Sequence, residues 1–267
     1  MIKKEIRENI LNKFTQKKDK IFASLIIDKI TKFENCSYVV FTSFLDLNEK
    51  EIAIFILNKL NIKYYIFSPL EDTSRFVIFL IPNYVEDVSK VYDEYISCIK
   101  IKPAKNSVII HRECMGAIYS LGLKNDMIGD IFIYNNTCYF FTLKYNEKYI
   151  INNLTSISKY PVIVQALSIL ENEIKGIRIN YEKVEITVQS LRIDAILSQV
   201  FNISREQVKQ KIQKGDLFIN SKEMYFIAYT VKKDDIVSLK RCGKVKIGEV
   251  VRNTKSGKVV INIYKYN

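Results

Sequence analysis

At 267 residues, 48% of them hydrophobic and 26% charged, the chain has a globular composition with room for two or three cores, which excludes extensive disorder. No window approaches about 18 consecutive apolar residues, and no apolar run follows Lys3, Lys4, Glu5 and Arg7; neither a membrane span nor a secretory signal is expected, and the location expected is cytoplasmic. Cys36, Cys98, Cys114, Cys138 and Cys242 form no C-x-x-C pair, and His111 is the one histidine, so no metal or other cofactor is expected.

The net charge of +12 favours a polyanionic partner. It is unevenly spread. Residues 185–267 hold 16 Lys+Arg against 8 Asp+Glu, whereas the first 184 hold 25 against 21. Because lysine is abundant along the whole chain, charge alone divides about evenly between nucleic-acid binding and a merely solvated surface.

From the N-terminus, Ile6, Ile10 and Phe14, then Ile21, Phe22, Leu25 and Ile26, recur at helical spacing to about residue 35. The seven basic residues among the first twenty (Lys3, Lys4, Arg7, Lys13, Lys17, Lys18 and Lys20) read as a solvated helix face. A strand at 38–42, a helix at 48–60 and a strand at 63–67 complete an α/β unit assigned to residues 1–74. From Arg75 a second unit, 75–180, is expected to open with the apolar run Phe76–Ile81 as a strand, followed by a strand at 95–101, a helix at 112–121 ended by Gly122, two strands about an Asn135-Asn136 turn, a helix at 147–156 and a strand after Pro161. That order suggests a sandwich of the ferredoxin or RNA-recognition-motif type. The third unit, 185–267, begins with helices at 191–201 and 204–214, stopped by Gly215, and continues as β structure with a turn at Thr254–Gly257. The fold class is α+β.

The third unit carries the binding argument. Ser204 is a good N-cap, and Arg205 with Lys209 at i+4 forms a basic stripe beside the apolar pair Val208 and Ile212. Leu191-Arg192-Ile193-Asp194, Asn202-Ile203-Ser204-Arg205 and Ile212-Gln213-Lys214-Gly215-Asp216-Leu217-Phe218-Ile219-Asn220 together resemble the S4 RNA-binding domain. The resemblance implies that Arg192 and Arg205 lie on an RNA-facing surface and that the strand ending at Asn220 leads into a β-hairpin. Asp194, inside the first helix, reads as a local cap or salt-bridge partner.

A narrower resemblance covers at least the second half of the chain. His111-Arg112-Glu113-Cys114-Met115-Gly116-Ala117, Leu121-Gly122-Leu123 and Ile128-Gly129-Asp130-Ile131 look like the central signature of the bacterial YlmH-like proteins, in which an S4 domain follows. That family usually carries Arg-Gly-basic-Gly-basic where this chain has Lys240-Arg241-Cys242-Gly243-Lys244. One of the two glycines is lost and the positive charge is kept. Adjacent helix residues face different ways and no nucleophile is placed to share a site with His111, which reads as a structural residue at a helix start or an RNA contact, with Arg112 beside it. The expected RNA-binding residues are Arg192, Ser204, Arg205, Lys209, Lys214, Lys222, Lys240, Arg241 and Lys244, with His111 and Arg112 as a central-domain contact.

The YlmH-like resemblance implies a non-enzymatic, monomeric factor of ribosome-associated quality control that binds rRNA and peptidyl-tRNA on the large ribosomal subunit. The rival class is an S4-domain RNA-modifying enzyme of the pseudouridine synthase or methyltransferase type; residues 1–180 contain neither a G-x-G-x-x-G loop nor a G-x-x-x-x-G-K-[ST] cradle. A structural protein whose middle domain binds another protein is the third.

Overall fold

The computed structural model describes residues 4–70, 73–104, 107–175, 177 and 181–266. They form two compact units, Met1–Ile179 and Asn180–Asn267. Of the N-terminal basic residues, Lys3 lies outside the described ones.

The first unit begins with α1 (Lys4–Leu11), α2 (Lys17–Asn35), β1 (Val40–Phe41), α3 (Leu47–Lys59), β2 (Tyr65–Phe67) and β3 (Val77–Leu80). The helices bury Ile10, Ile26, Ile27, Ile30, Ile52, Ile56 and Leu57 in one cluster, a face set by the 3.6-residue period. Asp46 caps α3, accepting from the Glu49 N–H at 2.8 Å while the Glu49 carboxylate accepts from the Asp46 N–H at 2.9 Å. The sheet order is β1-β3-β2, all antiparallel.

This order corrects the expected boundary after residue 74, because the run 76–81 is the middle strand of the N-terminal sheet. Val77 and Phe79 pack on one side of it and Ile78 and Leu80 on the other. A strand buried on both faces reads as one apolar run, which carries no label of the sheet it joins.

Next come α4 (Val88–Tyr95), capped by Asp87, then β4 (Ile96–Pro103), α5 (His111–Ser120), β5 (Ile128–Tyr134), β6 (Thr137–Leu143), α6 (Glu147–Asn153), β7 (Ser156–Ile157), β8 (Tyr160–Leu167) and α7 (Asn172–Lys175). The antiparallel sheet runs β5-β6-β4-β8-β7. Within it, β4-α5-β5-β6-α6-β8 has the split βαβ connection, since β4 and β5 are joined by a helix and β6 lies between them. The β5–β6 hairpin turns on Asn135 and Asn136, both left-handed at φ 48° and 54°, a conformation asparagine tolerates well. The expected helix to Ser156 ends earlier, at Asn153, and Ser156 opens β7.

Both faces of this sheet are covered. Ile99, Ile101, Ile128, Cys138 and Phe140 pack with Cys114 and Ile118 of α5 and Ile150 of α6. On the other face, Cys98, Phe132, Tyr139 and Phe141 pack with Phe67, Val77 and Phe79 of the N-terminal sheet and with Ile174 and Ile177.

The second unit holds β9 (Tyr181–Val188), α8 (Ile193–Phe201), α9 (Arg205–Gln213), β10 (Leu217–Ile219), β11 (Lys222–Glu223), β12 (Ile236–Leu239), β13 (Gly243–Asn253) and β14 (Val259–Tyr266). Its sheet order is β11-β10-β12-β13-β14-β9. Strand β9, absent from the expected elements, pairs along its whole length with β14, from Val188 opposite Val259 to Tyr181 opposite Tyr266. The unit therefore begins before the expected residue 185. Ile193, Ile196, Leu197, Val208 and Ile212 of the two helices pack on Leu217, Val237, Val245 and Ile263 of the sheet.

Among the described residues, no helix is long and apolar enough to cross a membrane.

Candidate nucleic-acid interface

Local chemistry fixes the two helices of the second unit. Asn202 ends α8 in the left-handed conformation at φ 51°. Ser204 starts α9 through a capping box, its hydroxyl accepting from the Gln207 N–H at 3.1 Å while the Gln207 side chain accepts from the Ser204 N–H at 2.9 Å. At the far end Gly215 sits at φ 74° with the Tyr225 side chain 3.0 Å from where a Cβ would be, so both backbone and space call for glycine.

Below the helices, buried Asp235 accepts hydrogen bonds from Asn220 Nδ2 at 2.9 Å, the Lys232 N–H at 2.8 Å and the Tyr229 hydroxyl at 3.2 Å. Asn220 in turn accepts from the Ile236 N–H at 2.9 Å. These bonds lock the β10–β11 turn to the start of β12 and so fix the platform on which α9 lies.

Helix α9 buries Val208 and Ile212. At about 100° per residue, Gln207, Gln210, Lys211 and Lys214 fall on one flank of that buried line, and Arg205 with Lys209 on the other. The first flank faces the β12–β13 turn. There Ile203, Gln207, Gln210, Lys211, Lys214, Asp216, Lys240 and Arg241 line an open groove of about 560 Å³. Lys211 Nζ donates to the Lys240 carbonyl at 3.3 Å, closing one end. The Lys240 ammonium lies 3.8 Å from Asp216 and 5.3 Å from the Phe218 ring centroid. Among the described residues, Lys211, Lys214 and Arg241 have no ion-pair partner, so the groove holds a surplus of positive charge around a single carboxylate.

Arg241 is at the tip of the three-residue turn between the paired Leu239 and Gly243, with the Cys242 N–H bonded to the Leu239 carbonyl at 2.9 Å. Its φ is 65°. The residue standing where the YlmH-like pattern has glycine thus takes the backbone conformation that glycine adopts freely, at a cost of roughly 1 kcal/mol or more for a side chain with a Cβ. Turn geometry and charge coexist at this position.

The nine expected binding residues do not form one cluster. Lys214, Lys240 and Arg241 line the groove. Arg205 and Lys209 are exposed on the opposite flank of α9. Arg192 bonds to Asp194 through Nε at 3.0 Å at the start of α8, and the Ser204 side chain is committed to its cap. Lys222 is in β11, and the Lys244 ammonium stands 4.6 Å from the Tyr266 ring centroid. Lys211, Gln207 and Gln210 are groove residues that the sequence reading missed. The signal was present in the i, i+3, i+4, i+7 spacing of 207, 210, 211 and 214.

In the first unit His111 begins α5, and its Nε2–H donates to the Ile131 carbonyl on β5 at 2.9 Å, which ties helix to sheet. Arg112, the next residue, is exposed. Gly129 leaves room for Phe44, whose ring carbon would stand 2.7 Å from a Cβ there. Among the described residues, no group of three or more His, Cys, Asp or Glu side chains could hold a metal ion.

Residues 91–171 match a family model described as "Putative RNA-binding domain in YlmH". The Ribosome-associated protein quality control protein P2 of Bacillus subtilis strain 168 is 22% identical over 218 residues, 81% of this chain and 83% of that protein. Among solved structures, the cell division protein ylmH from Streptococcus pneumoniae is 16% identical with a TM-score of 0.49, over 58% of this chain and 93% of that one. The chain is thus similar to YlmH through its central domain, residues 91–171, and to the Bacillus relative over most of its length.

Proposed function

We propose that the chain is a non-enzymatic RNA-binding factor of the ribosome, and that the second unit is an S4-type domain gripping structured RNA through the groove between α9 and the β12–β13 turn. The observation that carries this is the groove itself, where four cations from two elements face one concave surface with a single acidic neighbour. Such a surface suits A-form RNA, which proteins read largely through shape, phosphates and 2′-hydroxyls. The central domain adds the RRM-like element that the matched model covers, and the Bacillus relative, by its name, works in ribosome-associated quality control. On this reading the partner is the large ribosomal subunit through its rRNA, with peptidyl-tRNA within reach.

The test is sedimentation of the tagged full chain with separated ribosomal subunits over a salt series, in parallel with nucleoside analysis of rRNA and tRNA incubated with the protein and S-adenosylmethionine. Binding to the large subunit that weakens steeply with salt is expected, with every nucleoside unchanged. Salt-independent sedimentation, or a new pseudouridine or methyl mark, overturns the proposal.

A further inference from the structure

Proteins of the RRM type use the open face of the sheet, where aromatic rings stack on bases. In this chain that face is closed. Phe132 and Tyr139 are stacked on each other at 5.6 Å and 9°, and with Phe141 they are no more than 5% exposed, sealed against the N-terminal sheet. A base could reach those rings only by prising the first unit apart.

The aromatic surface lies instead on the helical side. Tyr119 near the end of α5, Tyr145 in the 3-10 turn Lys144–Asn146 and Tyr149 on α6 are 38%, 65% and 47% exposed. All three gather about the connection from α5 to β5. The Tyr119 hydroxyl donates to Asn125 Oδ1 at 2.7 Å, the Tyr149 hydroxyl donates to the Leu121 carbonyl at 3.0 Å, and Tyr145 lies close enough to feel the Asp126 charge. Two of the rings are thus held by their polar ends with their bodies outward, which removes much of the ordering cost of stacking on them.

Cations adjoin these residues along the chain, Lys124 next to Asn125 and Lys148 next to Tyr149. Lys124 and Lys148 are exposed and, among the described residues, carry no ion pair, and Arg112 is exposed one turn before Gly116. Gly116 is itself in the middle of α5 with nothing within 4 Å of a Cβ position. A mid-helix glycine costs about 1 kcal/mol relative to alanine, and no packing inside the molecule requires it. Its bare backbone fits close approach from outside.

We infer that the Tyr119–Tyr145–Tyr149 face, with the adjoining Lys124 and Lys148, is a second RNA site that takes unpaired bases on the tyrosine rings and their phosphates on the lysines. This rests on the RNA-binding reading above and divides the labour between the units, with the C-terminal groove holding duplex and the helical face of the first unit holding single strand. Stacking is worth about 1–3 kcal/mol per base, so three rings make this site measurable without the groove.

The experiment measures anisotropy of a labelled short oligoadenylate and of a labelled blunt RNA hairpin on the full chain. Three proteins are compared: the native chain, the triple variant Tyr119→Leu/Tyr145→Ala/Tyr149→Leu, and Lys124→Ala/Lys148→Ala, whose exposed positions keep the fold intact. Both variants are expected to bind oligoadenylate at least about tenfold more weakly and the hairpin nearly as before. Unchanged oligoadenylate affinity in the lysine variant, or a native chain that binds only the hairpin, overturns this site and leaves the groove proposal standing. A native chain that binds neither RNA overturns both. Nuclease-resistant capture of a protein through these tyrosines, with no oligoadenylate binding, also overturns it.

Discussion

Asp130 on β5 holds Ser74, its two carboxylate oxygens accepting from the Ser74 N–H at 2.9 Å and from the Ser74 hydroxyl at 2.5 Å. The same carboxylate accepts from the Arg75 N–H at 3.0 Å and from the Thr73 hydroxyl. The aspartate of the Ile128–Ile131 signature is therefore a clamp on the segment leading into β3. Asp130→Ala leaves four donors without their acceptor and is expected to destabilise the first unit by roughly 2–4 kcal/mol, with Asp130→Asn between it and the native chain. Denaturant unfolding followed by a probe in the first unit checks this; a midpoint unchanged in the alanine variant refutes it.

At the groove, Lys214→Ala and Arg241→Ala should each lower RNA affinity and reduce the log–log salt slope by about one unit, with stability within about 0.5 kcal/mol of native. Arg241→Gly separates charge from backbone. It relieves the left-handed strain while removing the cation, so its thermal midpoint should match or exceed that of Arg241→Ala while RNA binding falls equally. A glycine variant that retains full affinity places the contact elsewhere.

The two flanks of α9 make opposite predictions. If the groove is the RNA surface, Arg205→Ala and Lys209→Ala weaken hairpin binding less than Lys211→Ala and Lys214→Ala do. Ile212→Ala, by contrast, opens a cavity in the core and is expected to cost about 2–5 kcal/mol whatever RNA does. Parallel titrations and melts of the five variants decide between the flanks.

Glu173 gives the first unit a pH dependence. The Lys100 ammonium, 2.7 Å from one carboxylate oxygen, and then the Tyr139 hydroxyl, 2.6 Å from the other, hold the Glu173 carboxyl below its ordinary value. A depressed folded-state value contributes stability above the unfolded glutamate range, near about pH 4.3, and that contribution is lost as pH falls through the folded value. Glu173→Gln should flatten the acid side of the stability profile below about pH 4.5 and leave its shape at neutral pH unchanged. Unfolding midpoints across the acid range measure it.

Strand β9 sets where the second unit can be cut. A fragment starting at residue 180 keeps the whole β9–β14 ladder, one starting at Val184 loses the pairs of Tyr181, Glu182 and Lys183, and one starting at Ser190 also loses buried Ile186 and Val188. Cooperative melting is expected to weaken in that order. Equal midpoints for all three would mean that β9 adds nothing to the fold.

Much of the architecture was legible because its signals are local. Ser204 as a cap, Gly215 as a stop and the Asn135-Asn136 turn each act within a few residues, and the structure places all three in those roles. What was missed depends on distant partners. In β9 only Ile186 and Val188 are buried, so its sequence, Tyr181-Glu182-Lys183-Val184-Glu185-Ile186-Thr187-Val188, offers a weak alternation that becomes a strand only through β14. The 76–81 run announced a buried strand and not its sheet. For the binding surface, Arg205 and Lys209 are legible as a stripe at i, i+4, yet α9 has a second stripe, and only the position of the β12–β13 turn shows which one faces other cations.

The position of β9 also bears on solubility. As the outermost strand of its sheet it offers a row of backbone donors and acceptors, the kind of border along which chains stick to one another. Glu182, Lys183, Glu185 and Thr187 project into solvent from that border, and the opposite border, β11, is only the two charged residues Lys222 and Glu223. A strand from another molecule approaching either side would have to strip water from these charges before gaining a hydrogen bond. The same polar residues that hid β9 from the hydrophobic pattern guard the protein against ordered aggregation.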